Sequence, residues 1–463
     1  MLRLHDTATG QVSAVSFRTP GQASMYVCGP TVYDTPHLGH GRFSLVFDVL
    51  RRYLLFCGID VTYVSNITDI DDKIIERAAE RGVSPGELAR TYEDVWWAAM
   101  DGLGVLRPDQ APRATEYVDD MVTLIGQLVD RGVAYQTSDG VYLSVGEVEG
   151  YGLLARQPLD SLRAGARVEG TDEKRSPLDF VLWKDAKPGE PTWPSPWGPG
   201  RPGWHTECVV MSLDLLGEGF DIHGGGGDLA FPHHENERAQ AVALSRDFAH
   251  HWVHNGWVVV DGEKMSKSLG NFTSLDDLLD RRDPRAYRLL VLRSHYRSPI
   301  EVTPDTAAQA EAGLARLDEV ARRFGLPDLL ADGPVVAVPD DPRVDADAVE
   351  RFRQQMDDDL DTAGALAGIF DLARRANADA DAGAHATAER GAMTVGLLCA
   401  ALGVGLRGAV DGGVDDAAAE LVRRRDAARA ARDFGLADQL RDELVGSGWL
   451  VEDGPEGTRI RRP

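Results

Sequence analysis

Lysine, cysteine and long apolar runs are scarce in this sequence. It has six lysines against 43 arginines, and only four cysteines in 463 residues. No segment offers the roughly 18 consecutive apolar residues that a membrane helix needs, so no membrane association is expected. The first residues, MLRLHDTATGQ, have neither a basic region followed by an apolar run nor an Arg-rich, acid-poor composition. We therefore expect a cytoplasmic protein.

The four cysteines are too far apart in a long chain to form a disulfide framework. They are Cys28, Cys57, Cys208 and Cys399. In a cytosolic setting, such cysteines more often bind a metal or take part in catalysis. Cys57 and Cys399 lie in the apolar runs LLFCGI and GLLCAALG, which predicts core positions for both.

The formal net charge of −25 argues at first against a nucleic-acid partner, because contacts to phosphate need Lys or Arg. The charge is unevenly distributed, however. Residues 328–390 carry 15 acids and six arginines, whereas residues 421–463 carry nine arginines and eight acids. The end of the chain is therefore relatively basic, although a solvated helix surface would show the same composition.

Short buried strands that alternate with helices predict a parallel sheet. Residues 25–29 (MYVCG) and 61–65 (VTYVS) are predicted strands on either side of a helix from His40 to about Leu55. This βαβ unit favours a doubly wound sheet with a ligand site beyond the strand ends.

The strand and helix pattern resumes in a second half of the sheet. Residues 219–223 and 257–260 are predicted strands around a helix from about His233 to Leu244. We predict a split Rossmann-like α/β domain with an insertion, followed by a helical bundle and a small C-terminal domain. The predicted divisions are 1–105 (first half), 106–200 (insertion), 201–250 (second half), 251–310 (the region that contains GEKMSKSLGN), 311–410 (helical domain) and 411–463 (C-terminal domain).

The motif His37-Leu38-Gly39-His40 lies between the first predicted strand and the helix. Backbone N–H groups at a helix N-terminus bind anions, and two imidazoles at i and i+3 can face one phosphate. Gly39 would allow a nucleotide to lie close to the backbone. The motif therefore suits a nucleoside triphosphate, although alone it could also be an ordinary helix start.

The stretch GEKMSKSLGN, residues 262–271, contains two of the six lysines, Lys264 and Lys267. An ammonium on a flexible stem can follow a moving phosphate better than a rigid guanidinium fork. Flanking Gly262 and Gly270 would let this loop close over a triphosphate and neutralise charge as pyrophosphate leaves. The alternative is a solvated turn.

HLGH followed by KMSKS on the two halves of a split sheet resembles the class I aminoacyl-tRNA synthetases. The chain is most similar to the cysteinyl-tRNA synthetase family, in YVCGPTVYDTPHLGH, NITDIDDKII, PGWHTECVVM, GGGGDLAFPHHENE and GEKMSKSLGNF. The similarity covers nearly the whole chain. It implies ATP and Mg²⁺, L-cysteine and tRNA(Cys) as ligands, and we expect a monomer.

A metal site follows from the residue types as well as from the resemblance. Cys28 and Cys208, with His233 and Glu237 at i and i+4 of the predicted helix, are donors that suit one Zn²⁺ ion per chain. The family's zinc ligands fall on these four positions. The alternative is that the cysteines are small buried residues and His233 only begins a helix.

A soft ion would bind the thiolate of cysteine strongly and the hydroxyl of serine poorly, so a separate editing step would be unnecessary. For that role the ion needs a fifth open position or one loosely held ligand. The resemblance further implies that Cys28, Gly29, Thr68 and Trp204 bind the amino acid. Gly39, Gly227, Asp228 and Lys267 would contact the nucleotide. His205, His234 and His254 are either further site residues or structural histidines.

The implied reaction has two steps and no protein nucleophile. The cysteine carboxylate attacks the α-phosphate of ATP while His37, His40, Lys264 and Lys267 stabilise the phosphates. A tRNA ribose hydroxyl then attacks the adenylate carbonyl and releases AMP.

Three alternatives remain open at this point. One is a cysteine ligase of the mycothiol pathway, which transfers cysteine to an amino-sugar. Against it stand the segment GPTVYD and six C-terminal arginines that suit an RNA backbone, namely Arg423, Arg424, Arg425, Arg429, Arg432 and Arg441. The second is a non-catalytic tRNA-binding or zinc-structural protein, which would not need both motifs. The third is a nucleotidyltransferase, which explains neither the zinc set nor the length.

Overall fold

The computed structural model describes residues 1–156, 173–260, 263–264, 274–331, 333–339, 341–408, 416–431, 433–447, 449–454 and 457–461. The strands are β1 (Arg3–Asp6), β2 (Gln11–Ala14), β3 (Gln22–Val27), β4 (Asp60–Val64), β5 (Ala134–Gln136), β6 (Gly140–Leu143), β7 (Phe180–Asp185), β8 (Gly200–Pro202), β9 (Ile222–Gly226), β10 (His251–Asn255), β11 (Val258–Val260), β12 (Glu263–Lys264), β13 (Ile300–Glu301), β14 (Leu450–Gly454) and β15 (Gly457–Arg461).

The α-helices connect these strands and dominate the second half of the chain. They are α1 (Leu38–Phe56), α2 (Asp72–Arg81), α3 (Pro85–Gly102), α4 (Val118–Asp130), α5 (Trp204–Leu216), α6 (Glu235–Ala243), α7 (Leu275–Arg281), α8 (Pro284–Leu292), α9 (Pro304–Phe324), α10 (Ala346–Asp357), α11 (Thr362–Asp381), α12 (His385–Ala401), α13 (Asp416–Ala430) and α14 (Phe434–Gly446).

The central sheet is parallel and has the order β10-β9-β3-β4. Its strands come from both halves of the chain, and β3 lies beside β9. The parallel α/β fold predicted from the sequence is confirmed. An antiparallel sheet, β5-β6-β7-β8, spans residues 134–202, between the two halves of the central sheet in the sequence, and so extends two residues past the predicted insertion of 106–200.

The second half of the sheet differs from the prediction in two places. The strand predicted at residues 219–223 is β9, Ile222–Gly226, so it begins three residues later than predicted and includes three glycines. Residues 258–260 form β11, but it pairs with β12 and β13 in a separate small sheet. The edge strand of the central sheet is β10, His251–Asn255, which the prediction missed.

Two large hydrophobic clusters form the core of the described part of the chain. One contains the apolar face of α1, which packs against β3 and β4. This cluster continues into helices α8 to α12. The other surrounds Cys28 and Cys208 with side chains from α4, α5 and the antiparallel sheet. Cys399 is buried in the first cluster, as predicted, whereas Cys57 is only partly buried and packs against that cluster, so the core position predicted for Cys57 is wrong.

The C-terminal segment has a small core of its own, formed by Ala418, Leu444, Trp449 and Ile460. One of the arginines predicted to face RNA belongs to that fold instead. Arg425 is buried, and its guanidinium donates to the hydroxyl of Thr458. Because a buried side chain with a protein partner cannot contact an RNA backbone, the prediction for Arg425 is wrong. Arg432 lies outside the described residues.

Candidate active site

The HLGH motif forms the first turn of α1, as the sequence predicted. His37 is the N-cap: its Nδ1 accepts from the His40 amide at 3.2 Å, and the His40 Nδ1 accepts from the His37 amide at the same distance. The two rings stack with centroids 3.7 Å apart. No acidic residue lies in the first turn of α1, so the turn itself provides no charge that opposes the positive end of the helix dipole.

The segment that follows the KMSKS motif packs directly against HLGH. The Leu275 amide donates to the Pro36 carbonyl at 3.0 Å, and Ser274 forms a bridge with His37. From α8, the Tyr287 hydroxyl donates to the Leu38 carbonyl at 2.6 Å. Of the KMSKS residues the structure describes Lys264, which ends β12, and Ser274, six residues after the motif, pairs with His37. Lys267 lies outside the described residues, as do Gly262 and Gly270.

The four predicted metal ligands converge in the core between the two halves of the sheet. Cys28 follows β3, Cys208 is on α5, Glu237 is on α6, and His233 is in the π-helical turn before α6. All four side chains are buried, and their donor atoms lie within 4.8 Å of one another.

The distances within this four-donor set are short. The two sulfurs are 3.6 Å apart, and the Cys28 thiol donates to Glu237 Oε1 at 3.4 Å. His233 Nε2 is 3.6 Å from the Cys208 sulfur and 3.0 Å from Glu237 Oε1. The donors therefore surround one point from different elements of the fold.

Neighbouring side chains orient His233. Its other ring nitrogen, Nδ1, is hydrogen-bonded to His205 Nδ1 at 2.9 Å, and Trp204 stacks on its ring with centroids 4.0 Å apart. Burial holds the pKa of His233 well below its ordinary value and lowers the pKa of His205 to about 3. His233 is therefore neutral and presents a lone pair, the form in which imidazole binds metals.

Burial also controls the two thiols. It raises the pKa of Cys208 to about 12 and, together with the Cys208 sulfur and the Glu237 carboxylate, raises the pKa of Cys28 well above its usual range. Both thiols thus keep their protons in the absence of a cation. A bound divalent ion would reverse this, because it favours the thiolate.

His223 is a site residue that was not predicted from the sequence. His223 Nε2 lies 2.8 Å from Glu237 Oε2, opposite the oxygen that faces His233. Cys28, His223, His234 and Glu237 form a second set of donor atoms within 4.8 Å of one another. The only sequence signal for His223 was its position at the end of a run of strand-like residues, directly before the glycines.

His234 and His254, which the sequence left as either site residues or structural histidines, lie in this cluster. His234 Nδ1 is hydrogen-bonded to His254 Nε2 at 2.8 Å, and His254 Nδ1 is hydrogen-bonded to the Thr7 hydroxyl at 2.7 Å. Burial lowers the pKa of His254 to about 3 and that of His234 well below its usual range. His234 and His254 are thus neutral, hydrogen-bonded imidazoles beside the four-donor set.

The residues predicted to bind the amino acid border the four-donor set. The Thr68 hydroxyl donates to Glu207 Oε1, and the Gly29 amide donates to Asn66 Oδ1 at 2.9 Å. A Cβ on Gly29 would lie 1.7 Å from the Asn66 carbonyl oxygen, so only glycine fits there. Trp204 is 37% exposed and stacks on the ring of His233.

Two of the residues predicted to contact the nucleotide, Gly227 and Asp228, directly follow β9. The Gly227 amide donates to the Asn255 carbonyl at 2.9 Å, which fixes the turn after the strand. A Cβ on Gly226 would lie 2.7 Å from Asp228 Oδ1, so the carboxylate folds back over that glycine. Gly39 lies in the first turn of α1, which follows β3, the strand that pairs in parallel with β9.

Comparison with known proteins places the chain in a family. The model described as tRNA synthetases class I (C) catalytic domain matches residues 14–312, and the DALR domain model matches residues 351–407. A solved methionyl-tRNA synthetase from Mycobacterium tuberculosis, in complex with methionyl-adenylate, has a TM-score of 0.58 at 18% identity and covers 83% of this chain and 90% of its own. The fold and the catalytic-domain match define a class I tRNA synthetase.

Full-length relatives narrow the family further. The chain is 50% identical over 476 residues to the cysteine–tRNA ligase of Thioalkalivibrio sulfidiphilus, and 48% identical over 476 residues to that of Alkalilimnicola ehrlichii. In both cases the match covers 100% of this chain and 100% of the relative. The chain belongs to the cysteine–tRNA ligase family, and the predicted resemblance is confirmed. In the described part of the chain, no helix combines the length and the apolar character needed to cross a membrane.

Proposed function

We propose that the chain attaches L-cysteine to tRNA(Cys) in two ATP-dependent steps and selects cysteine with a zinc ion. The convergence of Cys28, Cys208, His233 and Glu237 at the end of β3, on the strand that leads to HLGH, is the observation that carries this proposal. Family membership supports the charging of tRNA with cysteine and the use of ATP.

The chemistry and spacing of the donors fit zinc. Two sulfurs bound to one tetrahedral zinc at about 2.3 Å would lie roughly 3.8 Å apart. The separation of 3.6 Å between Cys28 and Cys208 is close to that value. We assign the set with both thiols, in preference to the set with His223 and His234, because soft thiolates favour zinc and because His233 is already oriented. A zinc ion held by these residues would bind the thiolate of the substrate cysteine in preference to the hydroxyl of serine.

In the first step, the cysteine carboxylate attacks the α-phosphate of ATP, and pyrophosphate leaves. His37 and His40 can donate to the phosphates through Nε2, because their Nδ1 atoms are held by backbone amides. The N-terminus of α1 adds to this stabilisation. We propose that Lys264 and Lys267 neutralise the departing pyrophosphate and that Mg²⁺ accompanies ATP. Gly39, Gly227 and Asp228 would bind the adenosine end.

In the second step, a hydroxyl of the terminal tRNA ribose attacks the adenylate carbonyl and AMP leaves. We propose residues 251–310 as the stem-contact region, residues 311–410 as the helical domain and residues 411–463 as the anticodon-binding domain. Arg423, Arg424, Arg429 and Arg441 are the described arginines of the C-terminal segment proposed to face RNA. The amino-sugar ligase alternative would leave this segment without a role.

Cysteine-dependent exchange of pyrophosphate into ATP, combined with charging of tRNA(Cys), tests the proposal. We expect exchange with cysteine but not with serine, charging of tRNA(Cys), and one zinc per chain. Exchange without charging, together with transfer of cysteine to an amino-sugar, would support the ligase instead. Absence of any cysteine-dependent exchange would disprove both.

A further inference from the structure

Arg42 is a buried cation on the helix that begins with HLGH, two residues after His40. Its side chain is buried, with 1% of the residue exposed, and no carboxylate of the described residues forms an ion pair with it. The guanidinium instead donates to three backbone carbonyls. Nη1 reaches the Trp257 oxygen at 2.6 Å, and Nη2 reaches the oxygens of Tyr296, at 3.0 Å, and Ser298.

The three carbonyls stand at the base of the small sheet that carries Lys264. Trp257 is the residue before β11, and Ser298 is two residues before β13. Strand β11 pairs with β13 on one side and with β12 on the other, and β12 ends at Lys264. One side chain of the HLGH helix therefore holds the points from which two adjacent strands of this sheet begin.

The backbone packs so closely at this point that the carbonyls need a cation. The Gly256 amide donates to the Tyr296 carbonyl at 2.8 Å, and a Cβ on Gly256 would lie 2.5 Å from the Arg297 oxygen and 2.7 Å from the Ser298 oxygen. Converging carbonyl dipoles repel one another when buried unless donors satisfy them. Burial lowers the pKa of Arg42 to about 10, which leaves the guanidinium charged at neutral pH.

We propose that Arg42 is a positioning residue for adenylate formation, which fixes the sheet bearing Lys264 relative to His37 and His40. The inference rests on the proposed function, because it requires the two motifs to act on one triphosphate. A displacement of about 1 Å of a catalytic group can lower the rate roughly 100-fold. Cysteine binding should not change, since Arg42 contacts none of the four proposed zinc ligands.

The test compares Arg42→Met with Arg288→Met by pyrophosphate exchange, zinc content and thermal unfolding. Arg288 is an apt control because it is equally buried, with 1% exposed, and it also contacts α1, through Asp48. We expect both variants to lose thermal stability. Only Arg42→Met should lower kcat, by about 10- to 100-fold, with KM for cysteine and zinc content unchanged.

Two further variants keep the test decisive if Arg42→Met fails to fold. Arg42→Lys retains a cation with three donors and should restore part of kcat. Gly256→Ala, which displaces the backbone at the same carbonyls without changing Arg42, should also lower kcat selectively. Equal losses of kcat in the Arg42 and Arg288 variants, or a raised KM for cysteine at unchanged kcat, would overturn the inference. Absence of exchange in the unmodified protein would instead count against the proposed function.

Discussion

His233 Nε2 lies 3.0 Å from Glu237 Oε1, although the two residues belong to different helical segments. Glu237 is in the first turn of α6, whereas His233 is in the π-helical turn before it, which contains the non-helical residue Phe231. The spacing of four residues still brings both side chains to the same side. The pair therefore presents one nitrogen and one oxygen to the cysteine sulfurs.

Cys208→Ser tests the four-donor set directly. A serine hydroxyl does not ionise near neutral pH and is a poor ligand for zinc, so we expect the zinc content to fall well below one per chain. The KM for cysteine in pyrophosphate exchange should rise at least tenfold. Cys399→Ser is the matched control, because Cys399 is equally buried but lies in α12. Full zinc content and normal activation in Cys208→Ser would refute the assignment.

Zinc affinity should rise steeply with pH. The metal-free thiols are protonated, because burial raises the pKa of Cys208 to about 12 and that of Cys28 in the same direction. His233 is already neutral, because its pKa is lowered by burial, and releases no proton. Binding should therefore release about two protons, and the affinity should increase about 100-fold per pH unit.

Competition for zinc with a chelator of known pH dependence, between pH 6 and pH 8, would measure the slope of zinc affinity against pH. Cys208→Ser should reduce the slope to about one proton, since only Cys28 remains to ionise. A pH-independent affinity in the unmodified protein would show that the thiols are not ligands.

His223→Ala should weaken zinc binding although His223 is not one of the four proposed ligands. Its ring fixes Glu237 Oε2 at 2.8 Å and so directs Oε1 toward the other donors. Loss of such a partner typically lowers metal affinity about 10- to 100-fold. His250→Ala is a suitable control, since His250 makes a comparable contact with Asp247 at the surface. Equal zinc affinity in the two variants would contradict an orienting role for His223.

Removal of residues 411–463 should abolish charging of tRNA(Cys) and spare cysteine-dependent pyrophosphate exchange. The small core of this segment, including Leu444 and Trp449, is separate from the two large clusters that hold the active site. Its loss should therefore leave the catalytic core folded. Thermal unfolding and zinc content of the truncated chain provide the control. Undiminished charging by that chain would argue against an anticodon-binding role.

The first half of the sheet was predictable because its residues agree with simple patterns. The helix predicted from His40 to about Leu55 is Leu38–Phe56, and the strand predicted at residues 61–65 is Asp60–Val64. Apolar residues at helical spacing and short apolar strands are the signals on which such predictions depend.

The second half was less predictable because tertiary packing overrides local propensity there. Glycine disfavours strands, yet Gly224 and Gly225 are in β9. A Cβ on Gly224 would lie 2.3 Å from the Phe47 ring, and one on Gly225 would lie 2.7 Å from the His234 ring. The contact with Phe47 comes from a distant part of the chain, and the contact with His234 comes from the turn before α6. The sequence could therefore suggest zinc donors by residue type, but not the histidine network behind them.

Variants at His37 should separate its capping role from its proposed role in catalysis. His37 Nδ1 accepts from the His40 amide, a contact that asparagine can replace at an N-cap but alanine cannot. We expect His37→Ala to lose about 1 kcal/mol of unfolding free energy and His37→Asn to lose much less. Both should lower kcat of pyrophosphate exchange by about 100-fold, because neither provides an imidazole for the phosphates.

Ser84→Ala and Ser84→Asn form the matched control pair, since Ser84 is the N-cap of α3 and accepts from the Glu87 amide. They should show the same difference in stability without a loss of kcat. If His37→Asn kept full activity, the imidazole would be only a cap, and phosphate stabilisation would have to come from His40 and the helix N-terminus.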